Sequence, residues 1–360
     1  MIDYRLKFLL VFLLSFVLAL FFTRLVICLA RRWNILDNPR VADRKIHKFS
    51  TPLLGGLAIY ATLLSVIFIL WSQGHLLDDR MPGSLVIYFL IAGLVLMING
   101  YLDDKYRLPA KITIWGPVIA VIIMLVGGLR ISYVTSWQGG VLYLDQIFGS
   151  FDNLASLLML VLTFIWLLGM TYTTKFLDGI DGLASGIGLI ASLVIFLVSL
   201  SWDVVGSTTS LLAISLAGAC LGFLIWNWHP AKVFLGESGS TLIGFTLGVL
   251  AIISGSKIAT ALLVMGLPIL DAFWVIIWRF KHHKPIWQGD SQHLHFRLLG
   301  AGLSQRQVVL FISFVSLLFG LVSIFFTTKA KVSALSFLLI FMFIVTGWLK
   351  FKLKSNEQLD

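Results

Sequence analysis

Eleven apolar runs divide this chain, near residues 8–30, 53–71, 84–102, 112–131, 155–174, 183–201, 209–228, 240–256, 258–278, 307–327 and 332–349. Each approaches the ~20 residues that a helix needs to cross ~30 Å of hydrocarbon. Inside lipid no water satisfies the backbone, so each run must close its own hydrogen bonds as a helix. Composition agrees: 59% of residues are hydrophobic and 12% charged, where soluble domains hold about 45–50% and about 25%. The expected fold is an all-α polytopic membrane protein with 10–11 transmembrane helices. The first run is too long for a signal peptide, and no small-residue cleavage site precedes Arg31-Arg32, so it is expected to be a span. With no internal repeat and no long linker, residues 1–360 read as one integral-membrane domain.

Alternating the spans sorts the loops into two sets. One set, residues 31–52, 103–111, 175–182, 229–239, 279–306 and the tail after Leu349, carries 19 Lys and Arg, while the other carries 7. Positive charge is retained on the cytoplasmic side, which places the N-terminus outside and the C-terminus inside. The net charge of +10 then belongs with anionic lipid headgroups and topology, and no nucleic-acid partner is expected. Cys28 and Cys220 both fall within apolar runs and read as small packing residues rather than a disulfide or zinc framework. On the outer side Tyr133, Val134, Val141 and Tyr143 flank Gly139-Gly140, predicting a small β-hairpin near 131–153.

Every informative polar motif falls in the cytoplasmic set. Lys175-Phe176-Leu177-Asp178-Gly179-Ile180-Asp181-Gly182-Leu183 is a polar island between two spans. A carboxylate beside hydrocarbon costs several kcal/mol or more unless it meets water or a partner, so two of them three residues apart imply use. The glycines admit close backbone approach, and amides opening the next helix favour anions. Asp103-Asp104-Lys105 ends another span, with Lys111 following. Alone it reads as a solvated terminus; on the same face as Asp178 and Asp181 it suits metal or proton chemistry.

Three further cytoplasmic segments add to these acids. The first loop reads Asp37-Asn38-Pro39-Arg40, then Arg44-Lys45-Ile46-His47-Lys48, then Gly55-Gly56, and is more ordered than an ordinary basic loop. Residues 227–240 run Asn227-Trp228-His229-Pro230-Ala231-Lys232-Val233-Phe234-Leu235-Gly236-Glu237-Ser238-Gly239-Ser240, again offering amides beside an acid; a lone histidine such as His229 is more often interfacial than a ligand. The longest loop holds Lys281, His282, His283, Lys284, Asp290, His293, His295 and Arg297. Its histidines two apart do not match a helical zinc pair, and a basic loop near acids suits phosphate-bearing substrates. Asp271, within a span after Pro268, is a functional candidate or a partner for Arg279 or another base. Acids for a cation, bases and amides for phosphates, and a floor of lipid suit phosphoryl transfer between a soluble phosphate compound and a lipid.

The chain resembles the polyprenyl-phosphate N-acetylhexosamine-1-phosphate transferases over nearly its whole length. Five motifs in order carry the resemblance: Asp37-x-Pro39 through Arg44-Lys45-x-His47 to Gly55-Gly56; Asp103-Asp104; Asp178-Gly179-x-Asp181-Gly182-Leu183; Asn227-x-x-Pro230-Ala231-Lys232-Val233-Phe234 through Gly239-Ser240; and Asp290 with His293-x-His295. The histidine loop looks closer to the N-acetylglucosamine and teichoic-acid branch than to the peptidoglycan branch. The resemblance implies that a polyprenyl phosphate, usually undecaprenyl, attacks the β-phosphorus of a UDP-N-acetylhexosamine and releases UMP. That is a first membrane step of envelope glycan synthesis, such as lipopolysaccharide or teichoic acid. It implies a bacterial cytoplasmic (inner) membrane location, a cytoplasmic active site, Mg2+ or Mn2+ as cofactor, and membrane lipids and a homodimer partner as company. By motif, Asp103, Asp104 and Asp178 are the catalytic candidates. Asp181, Asn227 and Phe234 fall to the nucleoside, Phe234 stacking on uracil, and Arg44, Lys45, His47, His293, His295 and Arg297 to phosphates and sugar.

Three positions depart from the family pattern. Lys175 and Tyr172 stand where asparagines are usual, Glu237 where an Mg2+-binding aspartate is usual, and Phe296 where a third histidine is usual. Two readings follow. Lys175 pairs with Glu237 or takes part of the metal's charge, or Glu237 still binds Mg2+ and Lys175 contacts a phosphate. The departures also admit an impaired homologue serving as scaffold. A lipid-phosphate transporter is the remaining alternative; it would spread polar residues toward the midplane, and here they gather at one face.

Overall fold

The computed structural model describes residues 4–39, 50–75, 81–136, 140–147, 152–202, 207–254, 258–285 and 291–356. In chain order the described elements are α1 (Tyr4–Arg32), β1 (Leu36–Asp37), β2 (Thr51–Pro52), α2 (Gly55–Ser72), α3 (Gly83–Tyr106), α4 (Ala110–Thr113), α5 (Trp115–Val126), β3 (Tyr133–Thr135), β4 (Val141–Tyr143), α6 (Leu144–Ile147), α7 (Asp152–Leu177), α8 (Leu183–Trp202), α9 (Thr208–Asn227), α10 (Gly236–Ile253), α11 (Ile258–Val264), α12 (Gly266–Lys281), α13 (Leu294–Gly300), α14 (Gln305–Phe325) and α15 (Thr328–Asn356).

Nine described helices are long and apolar enough to cross a membrane, and α11 with α12 makes a tenth that bends by 77° at its break. The remaining run, the fourth in chain order, is shorter than expected. It is helical over Ala110–Val126, about 25 Å at 1.5 Å per residue. Its place in the chain still makes it cross. α3 carries Asp103 and Asp104 in its last turn, the β3–β4 hairpin lies beyond α5, and α7 returns from the hairpin to end at Leu177, just past Lys175. The expected outer hairpin is present, pairing Tyr133 with Tyr143 and Thr135 with Val141. On the opposite side β1 and β2 pair antiparallel, Leu36 opposite Pro52.

Hydroxyls within the spans return their protons to the carbonyl four residues back, as Ser15 does to Val11, Thr23 to Ala19, Thr171 to Leu167 and Thr174 to Met170. In lipid this satisfies a polar group without a partner helix. Small residues then bring backbones together. Gly218 and Gly222 of α9 lie against the Phe12 and Phe16 carbonyls of α1, and Gly244 of α10 against the Met170 carbonyl of α7 with Gly248 beside the Leu167 and Met170 side chains. A Cβ at any of the four would crowd or collide with the facing helix, the small-xxx-small logic of membrane helix packing. The α7–α10 seam fixes the register that sets Lys175 beside the first turn of α10.

α10 is the central helix, with 89% of its apolar window buried, whereas α1 and α15 are peripheral at 33% and 22%. The rim presents large apolar side chains outward, among them Phe68, Ile165, Phe280 and Phe351. That belt is what a lipid-facing surface requires. The ends of α3, α7 and α9 and the start of α10 meet at one end of the bundle, and the candidate site lies there.

Candidate active site

Close glycine packing holds the acidic end of α3 against α10. Gly100, one turn before Asp103, lies on the backbone of Ser238, and Gly56 of α2 on the backbone of Gly239; a side chain at either would collide. The Phe234 and Leu235 carbonyls accept from the Gly55 and Gly56 amides at 3.0 and 2.9 Å, and the Phe234 amide donates to the Pro52 carbonyl at 2.8 Å. The segment that leads into α2 is thereby stitched to the loop before α10. Phe234 is half-buried at this junction.

Glu237 is the hub of the site. Its amide donates to Asp104 Oδ1 at 3.1 Å, and its own Oε1 accepts from Lys175 Nζ at 2.6 Å. Its charge also acts on Asp104, Asp178 and Tyr172, while that of Lys175 acts on Asp103. Asp104 Oδ2 is shielded and without a hydrogen-bond partner. Beside it Gly236 adopts φ +70°, in a space that a Cβ would share with that carboxylate. So four of the expected residues, Asp103, Asp104, Asp178 and Glu237, meet at one place together with Lys175.

Asp178 occupies the turn between α7 and α8. It is half-buried by area, yet protein surrounds the carboxyl closely enough that burial, then Glu237 and Asp181, push it up to about 8. Asp181 is held differently: its Oδ2 accepts from the Ala231 amide at 3.1 Å and pairs with His229 Nδ1 at 2.7 Å. Asn227 ties the same two loops. Its Oδ1 accepts from the Gly182 amide at 3.1 Å and from Ser185 at 2.8 Å, and its Nδ2 donates to the Val233 carbonyl at 2.9 Å. At 3% exposure Asn227 positions this corner from behind.

The histidine loop docks on the far side of that turn. His295 is fully buried against Gly179, where a Cβ would collide with its ring. Burial, then His293, hold it down at about 3, so the ring is neutral. His293 Nδ1 meets Asp271 Oδ2 at 2.9 Å, and Asp271 Oδ1 accepts from the Leu294 amide at 2.8 Å. Asp271 thus holds the histidine loop rather than standing alone in the span. Arg297 donates to the Thr346 carbonyl of α15 at 2.9 Å, and burial lowers its pKa. In this state His293, His295 and Arg297 direct their polar atoms into the fold. Arg44, Lys45, His47 and Asp290 lie outside the described residues.

Sequence reasoning passed over His229, which pairs with Asp181 and whose carbonyl accepts from Arg306 Nη2 at 2.9 Å. It also passed over Gly100, whose only signal was its place beside the acids.

The expected Mg2+ does not fit the side chains as they stand. One oxygen of the Glu237 carboxylate is engaged by an ammonium at 2.6 Å, which sets a positive charge where the ion would bind. Among the described residues no three His, Cys, Asp or Glu side chains converge closely enough to hold an ion. Charges of +2 and +1 about 4 Å apart repel by about 8 kcal/mol at an effective dielectric of about 20.

Fold and site together define a polytopic membrane enzyme with an anion-handling centre at one end of its helix bundle. Residues 86–255 match the model of Glycosyl transferase family 4. The chain is 30% identical over 354 residues to a Bacillus subtilis (strain 168) protein named "Probable undecaprenyl-phosphate N-acetylglucosaminyl 1-phosphate transferase", covering 96% of this chain and 92% of that protein. It is 33% identical to a "Decaprenyl-phosphate N-acetylglucosaminephosphotransferase" of Mycobacterium leprae (strain TN), over 82% and 78% of the two chains. An Escherichia coli O157:H7 "Undecaprenyl-phosphate alpha-N-acetylglucosaminyl 1-phosphate transferase" is 28% identical over 84% and 78%. The chain belongs to glycosyl transferase family 4, the sugar-phosphate transferases these relatives represent.

Proposed function

We infer that this protein transfers N-acetylglucosamine 1-phosphate from UDP-N-acetylglucosamine to a polyprenyl phosphate such as undecaprenyl phosphate. The observation that carries the reading is the convergence of Asp103, Asp104, Asp178, Glu237 and Lys175 at one end of the bundle, in a chain whose relatives are named for this transfer. A phosphate oxygen of the lipid bonds to the β-phosphorus of the nucleotide sugar. The anhydride P–O bond breaks, its electron pair leaves with UMP, and a lipid-linked sugar pyrophosphate remains. Charge drives the difficulty, because two anions must meet, so fixed positive charge and donors matter more than covalent chemistry.

The lipid phosphate, with its second pKa near ~6, arrives largely dianionic. Asp103 and Asp104 orient it at the mouth of α3 and take any remaining proton. Asp178, titrating near about 8, is mostly protonated at neutral pH and can donate a hydrogen bond to a phosphate instead of repelling it. Asp181 and Asn227 shape the nucleoside corner, with Phe234 at its edge. The active end faces the cytoplasm of a bacterial inner membrane, where nucleotide sugars are available, and the basic loops share that side.

The reverse reaction tests this reading. Purified protein given lipid-linked N-acetylglucosamine pyrophosphate and labelled UMP should form labelled UDP-N-acetylglucosamine. Absence of label in any UDP-amino sugar would count against an enzyme and for a scaffold.

A further inference from the structure

We propose that Lys175 is the resident cation of this active site, so that phosphoryl transfer proceeds without a bound divalent metal. The inference rests on the reaction proposed above and adds the source of its positive charge. Lys175 lies in the last turn of α7, and the Gly244 and Gly248 contacts of α10 with α7 fix its height in the bundle. Its Nζ lies 2.6 Å from Glu237 Oε1, and its charge reaches Asp103. The Tyr172 ring, 5.5 Å from Nζ, backs the ammonium on its own helix.

The two partners differ in exposure: the Lys175 side chain is 24% exposed and that of Glu237 8%. The carboxylate is sunk, and the ammonium is the more accessible of the two to an incoming phosphate. An ammonium carries three donors, and Glu237 engages one. The others suit the non-bridging oxygens of the nucleotide anhydride, where negative charge grows as the P–O bond to UMP breaks. Lys175 gives up no proton in this step; the electron pair leaves with UMP as a phosphate anion. A divalent ion bound to either Glu237 oxygen, at ~2.0–2.1 Å for Mg2+, would face the ammonium across the carboxylate. Glu237 therefore acts as a positioning residue for Lys175.

The test uses the full-length purified protein stripped with chelator, and reads transfer and metal binding separately. Expected for the native chain is turnover in chelator within about two-fold of that in Mg2+, and no saturable Mn2+ binding by electron paramagnetic resonance. Lys175→Gln should fall on the order of 100-fold in chelator, regain turnover with Mn2+, and bind Mn2+ at one site. Lys175→Arg, which keeps the charge, should remain active in chelator. Native turnover that vanishes in chelator and returns with Mg2+ overturns the proposal, as does saturable Mn2+ binding by the native chain. If native protein makes no product under either condition, the proposed function fails instead. The Mn2+ comparison between native chain and Lys175→Gln then still decides what Lys175 excludes.

Discussion

At the scale of single residues, two side chains give the protein a calculable pH dependence. A carboxyl in an unfolded chain titrates near ~3.9, whereas Asp178 in the folded chain titrates near about 8. The folded state therefore binds more protons between those values, and stability falls as pH rises through that window. His295 has the opposite sign. Held at about 3 when folded against ~6.5 unfolded, it destabilises the fold as pH drops below ~6.5. Above ~6.5 the His295 effect is spent, and of these two side chains only Asp178 still contributes. The melting temperature in detergent should thus fall between about pH 6.5 and about pH 8.5, and Asp178→Asn should remove that fall while abolishing transfer. An equal fall in both proteins would show that another group titrates there. Asn227→Leu breaks three buried hydrogen bonds and should cost ~3–5 kcal/mol. Asn227→Asp keeps both accepted bonds and should cost less; thermal unfolding of the two variants checks the order.

The sequence made the residue chemistry legible unevenly. The acids announced themselves, because a carboxylate at a span's end demands a reason. Their partners did not. His229 looked like any interfacial histidine, and only the fold brings it to Asp181 across 48 positions of chain. The bonds by which Asn227 ties Gly182, Ser185 and Val233 together were not legible, since an amide's orientation depends on neighbours that spacing does not reveal. Lys175 and Glu237 both stand out in the sequence as departures from the family pattern, but their 2.6 Å approach depends on the α7–α10 register, which spacing does not reveal.

At the scale of elements, the site depends on how closely α3, α7 and α10 approach. Gly100→Ala should push α3 from the Ser238 backbone, draw Asp104 off the Glu237 amide, and cost ~1–3 kcal/mol in overpacking. Its effect on turnover should be larger, on the order of 100-fold, since misplacement near 1 Å is enough for that. Near-native turnover with unchanged thermal stability would mean that α3 adjusts without moving Asp104. Hydropathy predicted the spans well because lipid leaves helices no alternative. It did not predict the 77° break between α11 and α12 or the short α4–α5 crossing, because both depend on neighbouring helices rather than on apolar length.

At the scale of the whole molecule, the account is one of polarity across the membrane. The β3–β4 hairpin and the acids lie at opposite ends of the bundle, and the basic loops share the acidic end. In sealed right-side-out vesicles of a variant lacking Cys28 and Cys220, a cysteine replacing Gly140 should react with an impermeant maleimide. One replacing Lys284 should react only after permeabilisation, and the reverse pattern would invert the topology. Both positions are exposed, so access rather than burial sets the result.

The most direct measurement is forward transfer by the purified chain, with UDP-N-acetylglucosamine carrying label in its β-phosphate and undecaprenyl phosphate as acceptor. The account predicts label in the lipid pyrophosphate, equimolar unlabelled UMP, and loss of both in Asp104→Asn. Label released as free sugar phosphate, or no lipid product with any UDP-amino sugar while the protein remains folded, would contradict it.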